Sequence, residues 1–563
     1  MARMSIGGFT SLAASHALVA PLRETIFRRI WIASLLCNFG ILIQGVAAAW
    51  AMTLMTSSAD KVALVQTAIM APLMLFAVAS GAIADMYDRR RILMVALTIS
   101  LAGATALALL TYFNLAGPNT LLALCFAVGT GMALFNPSWQ ASVSEQVSSD
   151  HVPAAVALNG LSYNLARSVA PAIGGIVVAA AGATAAFVLN AVLYLPLFVV
   201  LYGWRRDRPP SRLPPEGLRR AIVSGVRYIL NSPQTRVVLF RTLVTSVGGG
   251  SAFALIPLVA RDLLHGTAQT YGIMLGAFGV GAVIGAITIT SIRARIGDEA
   301  LVRVSAMAMG LGVAVAGLSR WPLLTGLALL VTGMQWTTSM TVYNIGVQLS
   351  APRWVTGRAL AGYQTAIAAG IALGGWLWGD VADRVGIDNT LLIAGALTFL
   401  SPLLGLRLQM PTALRVDEDP ALLADPEVHL LLSPRSGPIV IEMEYRIPPT
   451  DARAFYSVMQ EVQLSRQRNG AYGWSIARDI TDPELWTERY HCPTWHDYLR
   501  QRNRPTQAER MLTQSAQKFH RGEQPVRIRR MLERPFGSVR WKEETPDRAG
   551  DVLVPIAAPT SGA

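Results

Sequence analysis

Cysteine is close to absent: Cys37, Cys125 and Cys492 are the three among 563 residues. Their spacing excludes a disulfide framework and a paired zinc-ligand motif. Charge is scarce as well, at 15% of residues against 52% hydrophobic, where a soluble domain carries about 25% charged groups. That shortage excludes a water-soluble enzyme for most of the chain, and the apolar excess excludes disorder. No GxxxxGK[ST] stretch occurs, which argues against direct use of ATP. The mildly apolar residues 9–22 contain Ser and His and lead into Arg28-Arg29 and a full-length apolar run, so a cleaved leader is not expected.

What charge there is sits unevenly. Residues 1–410 hold 27 Lys+Arg and 14 Asp+Glu, net +13, whereas residues 411–563 hold 21 of each. An apolar, basic body therefore precedes a segment of ordinary soluble composition. The basic groups are nearly all Arg and lie between hydrophobic runs. They read as topology signals, not as a nucleic-acid footprint.

A membrane helix needs about 20 mostly apolar residues. Twelve runs qualify, near 30–54, 62–84, 92–113, 119–137, 156–181, 183–203, 237–260, 270–292, 301–319, 322–345, 359–379 and 389–408. The gaps at Ala181–Gly182 and Arg320–Trp321 predict tight hairpins. With the N-terminus in the cytoplasm, about 22 Lys+Arg fall in inner segments and 4 in outer ones, Arg167 being embedded. That asymmetry predicts a multi-pass protein of the inner (plasma) membrane with both termini cytoplasmic. The divisions expected are a tail 1–28, a six-helix half 29–204, a central loop 205–236, a second half 237–410, a linker 411–436, a soluble domain 437–535 and a disordered tail 536–563.

The halves repeat. Gly81-Ala-Ile before Arg89 and Arg91 returns as Gly285-Ala-Ile before Arg293 and Arg295. Phe135-Asn136 with Gln140 returns as Tyr343-Asn344 with Gln348, and the Gly174-Gly175 pair as Gly374-Gly375. Parallel six-helix halves are a transporter architecture.

The loop between runs two and three reads Gly81-Ala-Ile-Ala-Asp85-Met-Tyr-Asp88-Arg89-Arg90-Arg91. It resembles the signature motif of the major facilitator superfamily, with Asp88 where Gly is usual and Met86 where a basic residue is usual. Physically, Gly81 permits close helix approach and Asp85 can pair with a cation or a helix N-terminus. The blander reading leaves Arg89 and Arg90 as topology charges. The fifth run reads Ala166-Arg-Ser-Val-Ala170-Pro171-Ala172-Ile173-Gly174-Gly175. It is similar to that superfamily's exporter-associated motif, with Ala170 where Gly is usual. Pro171 frees a backbone carbonyl and Gly174 and Gly175 allow tight packing. The alternative is a kinked structural helix without directional meaning.

The tail stretch Trp495-His-Asp-Tyr498-Leu499-Arg500-Gln501, with Arg504-Pro-Thr506 and Glu509-Arg510, resembles the soluble tail of a bacterial exporter subfamily. That subfamily is the enterobactin exporter-like, or transmembrane secretion effector, group. Within the tail, Ile439, Ile441, Met443, Tyr445 and Ile447 alternate with Glu442, Glu444 and Arg446, which predicts a half-buried strand. Phe455, Val458, Met459 and Val462 predict a helix behind Thr450 as cap. Strands are expected at 472–480, 485–491 and 526–532, and Thr506-x-x-Glu509 is a capping box opening a helix to about 519. The order βαββαβ suggests an α+β ferredoxin-like domain, similar to small monooxygenases that pair into a shared barrel. Asn469, Trp474, His491, Cys492 and His520 are present, but no metal spacing or nucleophile–base pair can be placed. Docking or self-association through residues 437–535 is the expected role.

Polar residues inside apolar runs are functional candidates, because exposing them to lipid is costly. They are Asn38, Gln44, Asn136, Tyr163, Asn164, Arg167 and Asn190 in the first half, and Gln335, Trp336, Tyr343, Asn344 and Gln364 in the second. For each neutral residue the alternative is an interhelical hydrogen bond worth about 1 kcal/mol or less. Their aromatic and amide mix suits a large organic substrate. No Asp or Glu stands at mid-depth, which leaves a proton-binding residue unassigned although protons are the expected coupling ion. The function expected is an all-α, twelve-helix secondary transporter exporting a small organic molecule such as a siderophore, drug or secondary metabolite. It needs no cofactor, metal or nucleic acid, and its surroundings are the lipid bilayer. The alternative is a membrane-anchored enzyme or sensor acting through the soluble domain.

Overall fold

The computed structural model describes residues 19–204, 218–411, 426, 428–430, 432–503 and 506–533. The tail 536–563 lies wholly outside these residues, and so does most of the expected linker 411–436. The helices of the body are α1 Thr25–Met55, α2 Ala59–Met86, α3 Arg89–Tyr112, α4 Pro118–Ser142 and α5 Val152–Gly203. They continue with α6 Leu218–Asn231, α7 Pro233–Leu258, α8 Ala268–Ile296, α9 Asp298–Leu318, α10 Pro322–Ser350, α11 Arg353–Val385 and α12 Ile387–Leu400. Among the described residues, ten helices are long and apolar enough to cross a membrane. The difference from twelve has two causes. The 52-residue α5 is two apolar runs joined across Gly182, whose φ of 77° interrupts the helix at the expected hairpin. And α10, diluted by Thr337, Thr338, Ser339 and Asn344, is not among the ten.

In a bilayer, lipid tails are as apolar as leucine, so helices associate through small residues that let backbones meet. The bundle follows that rule: α1 packs on α5, α2 and α3 on α4, α5 on α8, and α9 on α12. A Cβ built on Gly310 would meet the Gly395 carbonyl oxygen at 2.5 Å, so α9 and α12 touch backbone to backbone. A satellite core of Ile30, Cys37, Leu93, Leu97, Tyr194, Leu197 and Leu201 closes one end of the first half.

The chain divides into two compact units. One is the helical body. The other joins the C-terminal segment to Val223–Arg236 and to Gln348–Thr356. Its sheet contains β1 Ile439–Arg446, β2 Tyr472–Arg478, β3 Leu485–Cys492 and β4 Arg527–Leu532 in the order β2-β3-β1-β4, all neighbours antiparallel. Three helices accompany it: α13 Ala452–Arg468, α14 Trp495–Asn503 and α15 Gln507–Gln517. The expected strands and helix appear, and α14 is an addition. The capping box closes in both directions, Glu509 N–H to Thr506 Oγ1 at 3.2 Å and Thr506 N–H to the Glu509 carboxylate at 3.1 Å. Thr450 is not the cap of α13; Asp451 occupies that position without a side-chain cap bond. Ile441, Met443, Tyr445, Phe455, Met459 and Val462 are buried together, each such side chain contributing about 1.5–3 kcal/mol.

Candidate functional site

The signature-motif loop is built as a charge clasp. Asp88 caps α3, its Oδ1 accepting from Arg91 N–H at 3.1 Å. Arg89 donates to the Ala141 carbonyl at 2.7 Å and pairs with Glu145 at 2.6 Å. Arg90 donates to the Leu201 carbonyl at 2.8 Å and to that of Tyr202. Both guanidinium groups thus satisfy carbonyls at helix C-termini, where cations are favoured. The side chain of Asp85 lies outside what the structure describes. A Cβ added to Gly81 meets nothing within 4 Å, and the same holds at Gly160 and Gly357.

The repeat of this loop in the second half carries a network that the sequence reading did not assign. Glu299 accepts from Arg241 at 2.5 Å, from Arg303 at 2.7 Å and from Met410 N–H at 2.9 Å. Arg241 and Arg303 also reach the Leu408 and Gly405 carbonyls. The signal was the pair Asp298-Glu299 just after Arg293 and Arg295.

At the other end of the bundle the two halves grip one another. Asp383, at the end of α11, accepts from Ser58 Oγ at 2.8 Å, Ala59 N–H at 2.6 Å and Asp60 N–H at 3.2 Å. These are the free donors at the N-terminus of α2, so an anion caps a helix start. Arg261 donates to the Thr53 carbonyl at 2.5 Å, and its Nη1 lies 3.4 Å from that of Thr56. A cation therefore caps the end of α1. The short turn between α1 and α2 is held on both sides by charges from the second half.

The exporter-associated motif lies in the same seam. A Cβ on Gly174 would meet Ile43 Cα of α1 at 3.2 Å; one on Gly175 would meet Gly272 Cα of α8 at 2.9 Å. Gly272 in turn approaches the Pro171 carbonyl, and Gly279 the Arg167 carbonyl, each at 2.6 Å from a built Cβ. Ser168 Oγ adds a hydrogen bond to the Gly279 carbonyl at 3.2 Å.

Beside this seam runs a row of side chains from both halves. The Arg167 guanidinium carbon stands 5.5 Å from the centroid of the Phe278 ring. Phe278 meets Phe253 edge-on at 4.9 Å, and Phe253 meets Trp336 edge-on at 5.3 Å. The row crosses α5, α8, α7 and α10. Tyr163, half exposed, lies one turn before Arg167 with Asn164 next to it. Sequence reading named Arg167 and Trp336 but missed Phe253 and Phe278, which look like ordinary apolar residues of a membrane helix.

The remaining candidates scatter. Gln44 and Asn190 are both buried and hydrogen-bond to each other, joining α1 to α5. Tyr343 is buried with its hydroxyl 3.0 Å from Thr245 Oγ1. Asn38, Asn136, Gln335 and Asn344 are partly buried and Gln364 is exposed. In the C-terminal unit, Glu488 is fully buried and accepts from Arg466 at 3.1 Å, Trp474 Nε1 at 3.0 Å and Tyr445 OH at 3.2 Å. Asn469 donates to Glu509, Cys492 to Gln501, and His520 accepts from Arg446 N–H.

The body has the fold of the major facilitator transporters. An auto-inhibited POT family peptide transporter matches 70% of this chain and 99% of its own, with a TM-score of 0.57 at 12% identity. The nucleoside transporter NupG matches 68% and 100%, with a TM-score of 0.57 at 12% identity. The sequence profile of the transmembrane secretion effector family matches residues 16–536, and the chain belongs to that family. It is similar to the multidrug efflux pump Tap of Mycobacterium tuberculosis, 26% identical over 67% of this chain and 92% of that one. It is also similar to the enterobactin exporter EntS of Shigella flexneri, 24% identical over 66% and 91%. The staphyloferrin A transporter of Staphylococcus aureus is 24% identical over 43% and 61%. The chain is a multi-pass inner-membrane protein.

Proposed function

We propose that this protein is a secondary-active exporter that moves a small organic molecule, of the siderophore, drug or secondary-metabolite kind, by alternating access. The observation that carries the reading is the latch across the halves: Asp383 and Arg261, from the second half, cap both sides of the turn between α1 and α2 at one end of the bundle. Such a bundle is one of the two states that a rocking carrier needs. We count twelve spans, two in α5 on either side of Gly182 and one in α10. We place both termini in the cytoplasm from the arginine asymmetry, which makes the latched end the outer one. The row Arg167–Phe278–Phe253–Trp336 is the proposed cargo site. A guanidinium without a carboxylate partner among the described residues, set among aromatic faces, suits an anionic aromatic molecule.

Protons are the proposed coupling ion. The described acids of the bundle, such as Asp60, Asp383 and Glu299, stand at its ends, so a bound proton would act on the latches and not on the cargo. We read the C-terminal domain as ferredoxin-like, a reading its β2-β3-β1-β4 order supports, and as a site of self-association across the charged face of Glu442, Glu444, Arg489 and Arg529. Energised everted vesicles carrying the protein should accumulate a catecholate probe. Failure to move anionic, neutral and cationic organic probes alike ends the proposal.

A further inference from the structure

Helix α6 was read from sequence as part of a loop, yet it is a two-faced helix. One face is committed to the soluble unit: Tyr228 is buried with its hydroxyl donating to the Ser350 carbonyl at 3.0 Å, and Arg227 donates to the Gly470 carbonyl at 3.4 Å. The other face is bare. Val223, Val226 and Leu230, spaced three and four apart on one side of the helix, are 52%, 41% and 60% exposed. Such spacing places the three side chains in one stripe.

Two features say what covers that stripe. Only Ser232 separates α6 from α7, whose apolar span begins at Pro233, so the end of α6 is tied to the membrane surface by the chain itself. And residues 205–236 carry eight Arg against Asp207 and Glu216, with Arg219 and Arg220 in the first turn of α6. An apolar stripe flanked by arginines next to a span is the composition of a helix lying in the interface of an anionic leaflet.

We propose that α6 is an interfacial helix whose Val223–Val226–Leu230 stripe beds into anionic phospholipid, tethering the soluble domain to the membrane surface. The charges of Arg219 and Arg220 complement the headgroups, Tyr228 holds the domain from the opposite face, and Arg227 holds it from the edge of the stripe. The inference rests on the membrane reading of the body but not on transport or on the direction of insertion.

The test uses the full chain in lipid nanodiscs, with or without phosphatidylglycerol among phosphatidylcholine. The native cysteines are buried, so a cysteine placed by Val226→Cys or Leu230→Cys takes a fluorophore selectively. Ile480→Cys, at a 97% exposed position of the soluble domain, is the aqueous control. A lipid-borne nitroxide should dim the 226 and 230 labels at least roughly twofold more than the 480 label, and aqueous iodide should do the reverse. Arg219→Gln with Arg220→Gln should lower the immersed fraction, by roughly fivefold per arginine in the immersed-to-lifted ratio. Labels at 226 and 230 as open to iodide as that at 480 would overturn the proposal. So would labels shielded from iodide but untouched by the nitroxide, which would mean a protein cover. Equal dimming with and without phosphatidylglycerol would overturn the anionic assignment. A transport-inactive preparation leaves this readout unaffected, so the two proposals fail separately.

Discussion

The Asp383 carboxylate accepts the backbone N–H of Ala59 at 2.6 Å, an interaction spanning 324 positions of sequence and both halves of the bundle. It works because α2 begins there with unpaired donors, which a carboxylate satisfies better than any neutral group.

Asp383→Asn should weaken this latch by about 1–2 kcal/mol, a roughly 5- to 30-fold shift in the balance of states, and the proposed orientation puts it on the outer side. A cysteine at Thr67, which now bonds the Ala372 carbonyl at 2.8 Å, would report it. Labelling by an impermeant thiol reagent from outside should rise in the variant, and an unchanged rate would remove the latch.

Gly175→Ala and Gly272→Ala each put a methyl group against backbone, at 2.6 Å from the Ala268 and Pro171 carbonyl oxygens respectively. Overpacking of this kind costs about 1–3 kcal/mol. Transport should fall sharply with membrane levels retained. Gly160→Ala, where the added Cβ meets nothing within 4 Å, is the control that should transport normally.

Gly81→Leu places its Cβ where no atom stands within 4 Å in the state described. It should oppose only a state in which the inner ends close. The expected outcome is protein held in the outer-closed form, seen as low outside labelling of the Thr67→Cys reporter and lost export together.

Arg167→Gln should cut export of an anionic aromatic probe roughly tenfold or more, the size of one charge-assisted contact, while Arg167→Lys keeps part of it. Wild-type flux in Arg167→Gln would show that this guanidinium is not the binding cation.

In the soluble domain, Glu488→Ala leaves the Arg466 guanidinium buried without its carboxylate, a loss of about 3–5 kcal/mol. Burial pushes the Cys492 thiol up to about 12, so in folded protein it stays protonated and unreactive at neutral pH. Thiol labelling of Cys492 should be negligible in the wild type and rapid in the variant.

Run length disclosed the ten helices long enough to cross a bilayer, and the interruption at Gly182 was legible because the apolar pattern pauses there. The alternation of Ile439 through Ile447 disclosed β1, since one face of the sheet is buried. The latch was invisible because half of it is backbone: no residue type announces that the N–H groups of Ala59 and Asp60 need an acceptor. Gln44 and Asn190 read alike as ligand groups, and only three dimensions pair them. Phe253 and Phe278 carry no sign in a helix where most residues are apolar. Helix α6 was hidden by its arginines and by Pro214 and Pro215 just before it, which speak for a loop.

The grouping of Val223–Arg236 and Gln348–Thr356 with the C-terminal domain has a bearing on how the chain is made. Those two segments leave the ribosome long before their partner does; from Arg236 to Glu533 is about 300 residues, on the order of 15–60 s of synthesis at 5–20 residues per second. For that interval Tyr228 has Ser350 at best, and the Gly470 turn that receives Arg227 does not yet exist. The last unit to emerge therefore completes a surface laid down with the first spans of the second half. A chain ending near residue 412 would leave that surface permanently unfinished, so its failure to accumulate would speak of assembly before it spoke of transport.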